Sequence, residues 1–207
     1  GVDPATVTII GGGVVGLNAA KLASGLGAKV NILDINMDRL RYLDDIMPSN
    51  VITLHSNTYN INKLMPKTDL LVGGVLVPGS TAPKIITKET LSLMKAGSVV
   101  VDVAVDQGGC IETTKPTTHK NPIFEDNGII HYCVANMPGA VPKPSPVPLT
   151  NSTSSYILDL LKEDFSKEIE NKPIAKGVNI FRGEITHKGL ADSFGMSYKN
   201  LNSYLAT

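Results

Sequence analysis

The stretch from Thr6 to Asp34 constrains this chain more than any other. A β-branched run, Thr6-Val7-Thr8-Ile9-Ile10, leads directly into Gly11-Gly12-Gly13-Val14-Val15-Gly16. A segment rich in small residues follows, then a second apolar run, Lys29 to Leu33, which ends on Asp34. Each part has a physical reason. Gly11 permits a tight turn out of the strand, Gly13 has no Cβ to keep a pyrophosphate off the backbone, and Gly16 lets the helix lie close on the sheet. The helix N-terminus, at Val14 and Val15, presents unpaired N–H groups and a partial positive charge to phosphates. Asp34 stands where an acidic side chain can hydrogen-bond a ribose diol. Strand, glycine turn, helix, second strand and acid all fall where a dinucleotide needs them, so the segment is read as a nucleotide-binding βαβ unit, the alternative being a tight βα turn that holds no ligand. Some methyltransferases also place an acid at the end of the second strand, and that alternative stays open on these residues alone. The carboxylate favours NAD over NADP, since it repels a 2′-phosphate. Ile35-Asn36 follows it, with no Arg or Lys directly after.

The strand and helix patterns continue to alternate. Asn36 is placed to cap a helix carrying Leu40, Leu43, Ile46 and Met47 at helical spacing. Val51 to Leu54, Leu70 to Val72, Ser98 to Asp102 and Ile129 to Val134 complete a set of six strands. Pro78 to Pro83 has loop chemistry. Thr87 opens a helix that passes Leu91 and Met94 and ends near Gly97. Near-continuous apolar strands are the mark of a parallel sheet covered on both faces. The expected class is therefore α/β, a Rossmann-type doubly wound parallel sheet with a C-terminal helical tail. Residues 1–148 are assigned to the nucleotide-binding domain and 149–207 to the tail. Pro138 to Pro148, with five prolines in eleven residues, is expected to be an extended connector. A helix is expected from about Asn151 to Glu170, with Ile157, Leu158, Leu161, Phe165 and Ile169 on one face. A hairpin turning at Arg182-Gly183 and a short helix from Gly189 to Phe194 follow.

Composition excludes several functions. Lys plus Arg and Asp plus Glu are both 19, so nothing in the net charge points to nucleic acid or a membrane surface. No apolar run is long enough for a transmembrane helix and no signal peptide is visible. Cys110 and Cys133 form no CxxC and are taken as inert small residues. A reducing cytoplasm is the expected compartment. The four histidines, His55, His119, His131 and His187, are not spaced for metal ligation, so no metal is expected. His131 reads as a core or edge residue of its strand. No G-x-S-x-G elbow is present, which leaves serine hydrolysis unsupported. The chain opens on Gly1 and enters a core strand almost at once, which reads as a piece of a longer protein.

In an open α/β sheet, ligands lie beyond the carboxyl ends of the strands. The groups there are Gly11 to Gly13, Asp34, Ser56, Val75-Leu76, Val103-Ala104-Val105-Asp106, and Ala135-Asn136-Met137, and they should converge on one crevice. Val75 and Leu76 serve equally well as an apolar wall for the adenosine or as core packing. Ser56 suits the adenine side or a polar strand cap. Asp102 suits a structural role, bonded to nearby backbone. Asp106, before the flexible Gly108-Gly109 pair, is the acid placed for proton transfer or for orienting a ribose or an ammonium group, with stabilisation of the turn as the other reading.

From Thr6 to about Thr150 the chain resembles the nucleotide-binding domain of the alanine dehydrogenase family, which also includes the soluble domain of pyridine-nucleotide transhydrogenase. The strings that carry this are Asp34-Ile35-Asn36 with Arg39 to Asp44, Val103 to Glu112, Pro116-Thr117-Thr118, and His131 to Pro142. The tail from Asn151 to Asn200 also resembles the family's C-terminal region. The resemblance implies conversion of L-alanine, water and NAD to pyruvate, ammonia and NADH. It implies NAD contacts at Gly13, Asp34, Arg39, Ser56, Val75, Leu76 and Val134 to Met137, and a catalytic role for Asp106. Lys115 stands where the family commonly has an arginine on the cofactor; a lysine keeps the charge without the planar fork. The family's substrate-binding Arg and Lys and its proton-transfer His belong to a domain upstream of the first strand, so this piece is expected to bind NAD without turning over alanine. Family members also imply a homo-oligomer, commonly a hexamer. A non-catalytic NAD-sensing module and a transhydrogenase-type NAD(H)-binding domain are the alternatives.

Overall fold

The structure is a computed structural model that describes residues 1–77, 82–161 and 173–205. The chain resolves into two compact units, Gly1–Leu76 with Ala82–Met137, and Val77–Thr81 with Pro138–Thr207. The division falls earlier than the boundary at 148 expected from the sequence.

The first unit is built on a seven-stranded sheet. Its strands are β1 (Thr6–Ile10), β2 (Lys29–Asp34), β3 (Val51–His55), β4 (Leu70–Gly73), β5 (Val99–Asp102), β6 (Ile123–Asp126) and β7 (Ile129–Tyr132). They lie in the order β3-β2-β1-β4-β5-β7-β6, with every neighbouring pair parallel except β6 and β7. The six expected strands are all present. β6 is an addition: a short, half-exposed edge strand joined to β7 through Asn127-Gly128, both with positive φ, as a tight hairpin turn demands. No α-helix crosses between β5 and β7. That passage is made by a 3₁₀ turn, loops and the β6 hairpin.

Strand side chains alternate between two cores. Val7 and Ile9 of β1 and Val30 and Ile32 of β2 point into one, with Ala20 and Leu43 from helices α1 (Val14–Gly25) and α2 (Met37–Ile46). Ile10, Leu33, Leu71 and Val100 point into the other, with Ile61 of helix α3 (Thr58–Leu64) and Leu91 of the four-residue helix α4 (Lys88–Leu91). Burial on both faces explains why these strands read as unbroken apolar runs. Helix α1 buries the small residues Gly16, Ala20 and Ser24, a stripe that brings its backbone close to the sheet. Asn36 caps α2 as expected, accepting from the Asp38 and Arg39 amides at 2.9 and 3.0 Å.

The second unit corrects one expectation. Pro138–Pro148 is not an extended connector. A 3₁₀ turn covers Met137–Ala140, and helix α5 runs over Pro146–Leu160. Pro146 and Pro148 lie in the first turn of α5, where the amides have no intrahelical partner and proline's missing N–H costs nothing. The helix thus begins earlier than expected; Phe165 and Ile169 lie outside the described residues, as do 78–81 of the expected loop. Strands β8 (Ile180–Phe181) and β9 (Glu184–Ile185) form the expected hairpin, with Arg182 and Gly183 both at positive φ. Helices α6 (Lys188–Phe194) and α7 (Asn202–Leu205) follow.

Candidate functional site

Six parallel strands place all their carboxyl ends at one edge of the sheet. The order reverses between β1 and β4, which both neighbour the glycine turn, so a crevice at that switch point is where an open α/β sheet takes its ligand. Gly11, at φ 99°, lies so close to β4 that a Cβ would meet the Gly74 carbonyl oxygen at 2.9 Å and Val75 Cγ2 at 3.0 Å. Gly16 is tighter still: a Cβ there would lie 1.9 Å from the Gly11 carbonyl oxygen and 3.2 Å from Ile9 Cγ2. Gly13 is the opposite case. It is exposed, and a Cβ on it would meet nothing within 4 Å. Gly13 also occupies the N-cap of α1 without a side chain to cap the helix, and the first intrahelical bond is made by the Leu17 amide to the Gly13 carbonyl. Exposed Val14 and Val15 follow it. The glycines therefore divide by function: two close the turn, and one keeps open ground before a helix N-terminus ready for an anion.

Asp34 braces that turn. Its Oδ2 accepts from the Gly12 amide at 2.7 Å and its Oδ1 from the Asn36 amide at 2.8 Å, leaving further lone pairs for a diol. Arg39 reaches back from α2 to the same turn, donating from Nε to the Gly12 carbonyl at 2.5 Å while its guanidinium lies 4.9 Å from the Tyr42 ring centroid. Gly12, which the motif does not single out, is thus held by an acid at its N–H and a base at its C=O. Half-buried Ser56 sits one strand further out, its amide bonded to the Asp34 carbonyl at 2.9 Å.

Beyond β4, Val75 packs on the core while Leu76 is 52% exposed, so of this pair Leu76 offers the open apolar surface. Beyond β5, Ala104 and Val105 are buried and Val103 packs against a core, so their side chains are spent on packing. Asp106 is exposed, on a 3₁₀ turn Val105–Gln107 that ends at Gly108 with φ 93°. Asp102 is wholly buried and bonded within the following loop, as a structural acid would be. Beyond β7, Val134 is buried, Ala135 and Met137 are partly so, and Asn136 is exposed in the left-handed region at φ 56°. Its carbonyl is 3.0 Å from His119 Nε2. Asparagine is among the few non-glycine residues that adopt this conformation readily.

Lys115 is exposed, with its ammonium 4.6 Å from the centroid of Phe124, whose ring stacks on His131 at 4.7 Å. His131 is buried; its Nδ1 lies 3.0 Å from the Ile129 carbonyl and its Nε2 2.8 Å from the Thr113 hydroxyl, a satisfied core histidine. Cys110 and Cys133 are buried free thiols. Burial, with the Asp102 carboxylate nearby, pushes Cys110 up to about 11, and burial pushes Cys133 up to about 11 as well. Neither is a nucleophile at neutral pH. Among the described residues no group of three or more His, Cys, Asp or Glu is gathered as a metal site, and no helix is long and apolar enough to cross a membrane.

The family described as alanine dehydrogenase/PNT, C-terminal domain, matches residues 1–188. This chain belongs to that family. An alanine dehydrogenase of Methanococcus maripaludis is 52% identical over 200 residues, covering 96% of this chain and 54% of the relative. A solved L-alanine dehydrogenase superimposes with a TM-score of 0.81 at 46% identity, covering 94% of this chain and 54% of its own. A solved transhydrogenase from Sinorhizobium meliloti has a TM-score of 0.60 at 30% identity, covering 68% of this chain and 40% of its own. The chain thus spans about half the length of the alanine dehydrogenases it matches. Two residues that hold the strand-end loops escaped the sequence motif: Gly12, hidden inside a glycine run and bonded to Asp34 and Arg39, and Lys84, a lone cation among Ala82-Pro83 and Ile85-Ile86 that donates to the Gly108 and Ile111 carbonyls. An isolated charge in an apolar stretch is the signal that points to the second.

Proposed function

We propose that this chain is the NAD-binding part of an NAD-dependent alanine dehydrogenase, serving the reversible deamination of L-alanine to pyruvate and ammonia. The observation that carries the reading is the pairing at one sheet edge of the phosphate-ready turn at Gly11–Gly16 and Asp34 with the exposed acid Asp106, in a chain 52% identical to an alanine dehydrogenase. The residues fit the cofactor. Open space at Gly13, before an uncapped helix N-terminus, suits a pyrophosphate, and the braced Asp34 carboxylate suits a ribose diol. Bound NAD supplies the hydride acceptor. The chain's own residues bind and orient it: Arg39, Ser56 and Leu76 toward the adenosine, and the Val103–Asp106 and Val134–Met137 corners toward the nicotinamide. Asp106 holds or relays the proton at the reacting amino group. Lys115 lends its charge beside these corners.

The substrate carboxylate and the main proton-transfer group are left to a part of the enzyme that these residues do not supply. Helix α5 supports this, for Val147, Leu149, Ile157 and Leu158 are exposed, an apolar surface suited to packing on a substrate domain or another subunit of a cytoplasmic homo-oligomer such as a hexamer. The transhydrogenase alternative is less well supported, at 30% identity against 46 and 52%. Calorimetry on the chain tests the reading: it binds NAD, and NADP much more weakly, and forms no NADH from alanine. Failure to bind NAD refutes it. In an enzyme joined to its substrate domain, Asp106→Asn collapses turnover while NAD affinity stays within about threefold; turnover at the wild-type rate removes Asp106 from the chemistry.

A further inference from the structure

We propose that Asp102 is the positioning residue for the loop that carries Asp106, a buried carboxylate that closes the whole loop after β5 and presents its backbone to the nicotinamide end of the cofactor. The inference rests on the NAD reading above. The Asp102 side chain is fully buried, and its two oxygens are spent at opposite ends of one loop. Oδ1 accepts from the Ala104 amide at 3.1 Å. Oδ2 accepts from the Thr114 hydroxyl at 2.7 Å and the Ile111 amide at 3.3 Å. One side chain thereby ties the start of the excursion to its end, with Asp106 between. Gly109, at φ 69°, lies directly on this knot. A Cβ there would fall 2.5 Å from Asp102 Oδ2 and 2.9 Å from Thr114 Oγ1.

A second set of anchors grips the loop from outside. The Lys84 ammonium donates to the Gly108 carbonyl and, at 3.3 Å, to that of Ile111. The Ile85 and Ile86 amides both reach the Cys110 carbonyl, at 2.8 and 3.2 Å. Asp106 itself is exposed, so its place is set by these backbone anchors and not by packing of its own side chain. A buried carboxylate is costly unless donors surround it, and these three all belong to the loop it holds. Rigid support of this kind is what an acid acting at a fixed atom requires.

Asparagine cannot do the same work. It has one acceptor oxygen; with that on Ala104, its NH₂ faces the Ile111 amide, donor against donor. The Thr114 hydroxyl can turn to the Ile111 carbonyl, 2.8 Å away, and accept from the new NH₂, so the loss falls on the Ile111 amide, which is left facing a donor at the far end of the loop. The test uses two ligands on this chain, NADH and ADP-ribose, the second lacking the nicotinamide. Asp102→Asn is expected to weaken NADH by about tenfold and ADP-ribose by less than about twofold. Thr114→Val moves affinity the same way by less, and Thr114→Ser restores it; these variants keep the test alive should Asp102→Asn fail to fold. Emission of bound NADH, which reports the nicotinamide environment, shifts toward that of free NADH in the weakened variants. Equal weakening of both ligands marks Asp102 as a general structural residue and overturns the proposal, as does unchanged NADH binding. A wild-type chain that binds ADP-ribose but shows no gain for NADH overturns the positioning role alone; one that binds neither ligand overturns the NAD reading and this role with it.

Discussion

Gly16→Ala and Gly13→Ala place the same methyl group three residues apart and should give opposite results. At Gly16 the new Cβ falls 1.9 Å from the Gly11 carbonyl oxygen and 3.2 Å from Ile9 Cγ2. A carbon and a carbonyl oxygen settle at about 3.3 Å or more, so helix and turn must part by roughly 1.4 Å. Both are backbone, and no rotamer relieves the clash. Overpacking of this kind costs about 1–3 kcal/mol and sometimes more, against about 1 kcal/mol gained by replacing glycine inside a helix. The clash here lies at the severe end, so a net loss of about 2 kcal/mol is expected, a large part of a total near 5–15 kcal/mol. With a urea slope of about 2 kcal/mol/M, the unfolding midpoint falls by about 1 M.

At Gly13 the methyl meets nothing within 4 Å, and φ is −65°, open to any residue. Reduced freedom of the unfolded chain, worth about 0.4–1 kcal/mol, offsets the poorer N-cap, which costs about as much. Stability should stay within about 0.5 kcal/mol of wild type. NAD affinity should fall at least about tenfold, since the methyl stands where the pyrophosphate approaches. Urea unfolding followed by circular dichroism, with calorimetric titration of NAD, reads both quantities. A Gly16→Ala midpoint within about 0.2 M of wild type refutes the close-packing argument, and undiminished NAD affinity in Gly13→Ala refutes the phosphate site.

Two further outcomes follow from the same geometry. Asp34→Asn removes the charge that repels a 2′-phosphate while Arg39 remains bonded to the adjoining turn, so the ratio of NADP to NAD affinity should rise by about tenfold; titration of both nucleotides checks it, and an unchanged ratio denies Asp34 its selectivity role. The thiols of Cys110 and Cys133 are raised to about 11 from an ordinary 9, so the folded state holds their protons more tightly than the unfolded state. Their contribution to stability is complete below pH 9 and is lost as pH climbs from 9 to 11. At pH 8 both should react with a thiol reagent only on unfolding, and rapid labelling of the folded chain would contradict their burial.

The edge strand β6 shows where local pattern falls short. Ile123 to Asp126 is four residues long, half polar, and stable only because β7 pairs with it, so its sequence carried little signal. Pro138–Pro148 misled for a related reason. Proline density argues against helix interiors, but Pro146 and Pro148 fall in a first turn, where the objection lapses. Asp102 was legible as a backbone-bonded acid, while its partners Ile111 and Thr114 were not, because the spacing of a loop does not say which of its donors will turn inward.

Read alone, the amino-acid order determined the βαβ start, the strand-end groups and their shared edge. Those follow from short-range rules: glycine where a Cβ cannot fit, an apolar run where both faces are covered, an acid at a strand end. Tertiary structure decided the rest of the Gly11–Gly16 site and its surroundings: that Gly12 is gripped by Asp34 and Arg39, that Val75 turns inward while Leu76 stays open, and that Lys84 and Asp102 hold one loop from two sides. Each of those is a contact between segments distant along the chain. Only the packed sheet brings them within hydrogen-bonding reach, because a bond of about 3 Å is specified by three-dimensional position and not by sequence spacing.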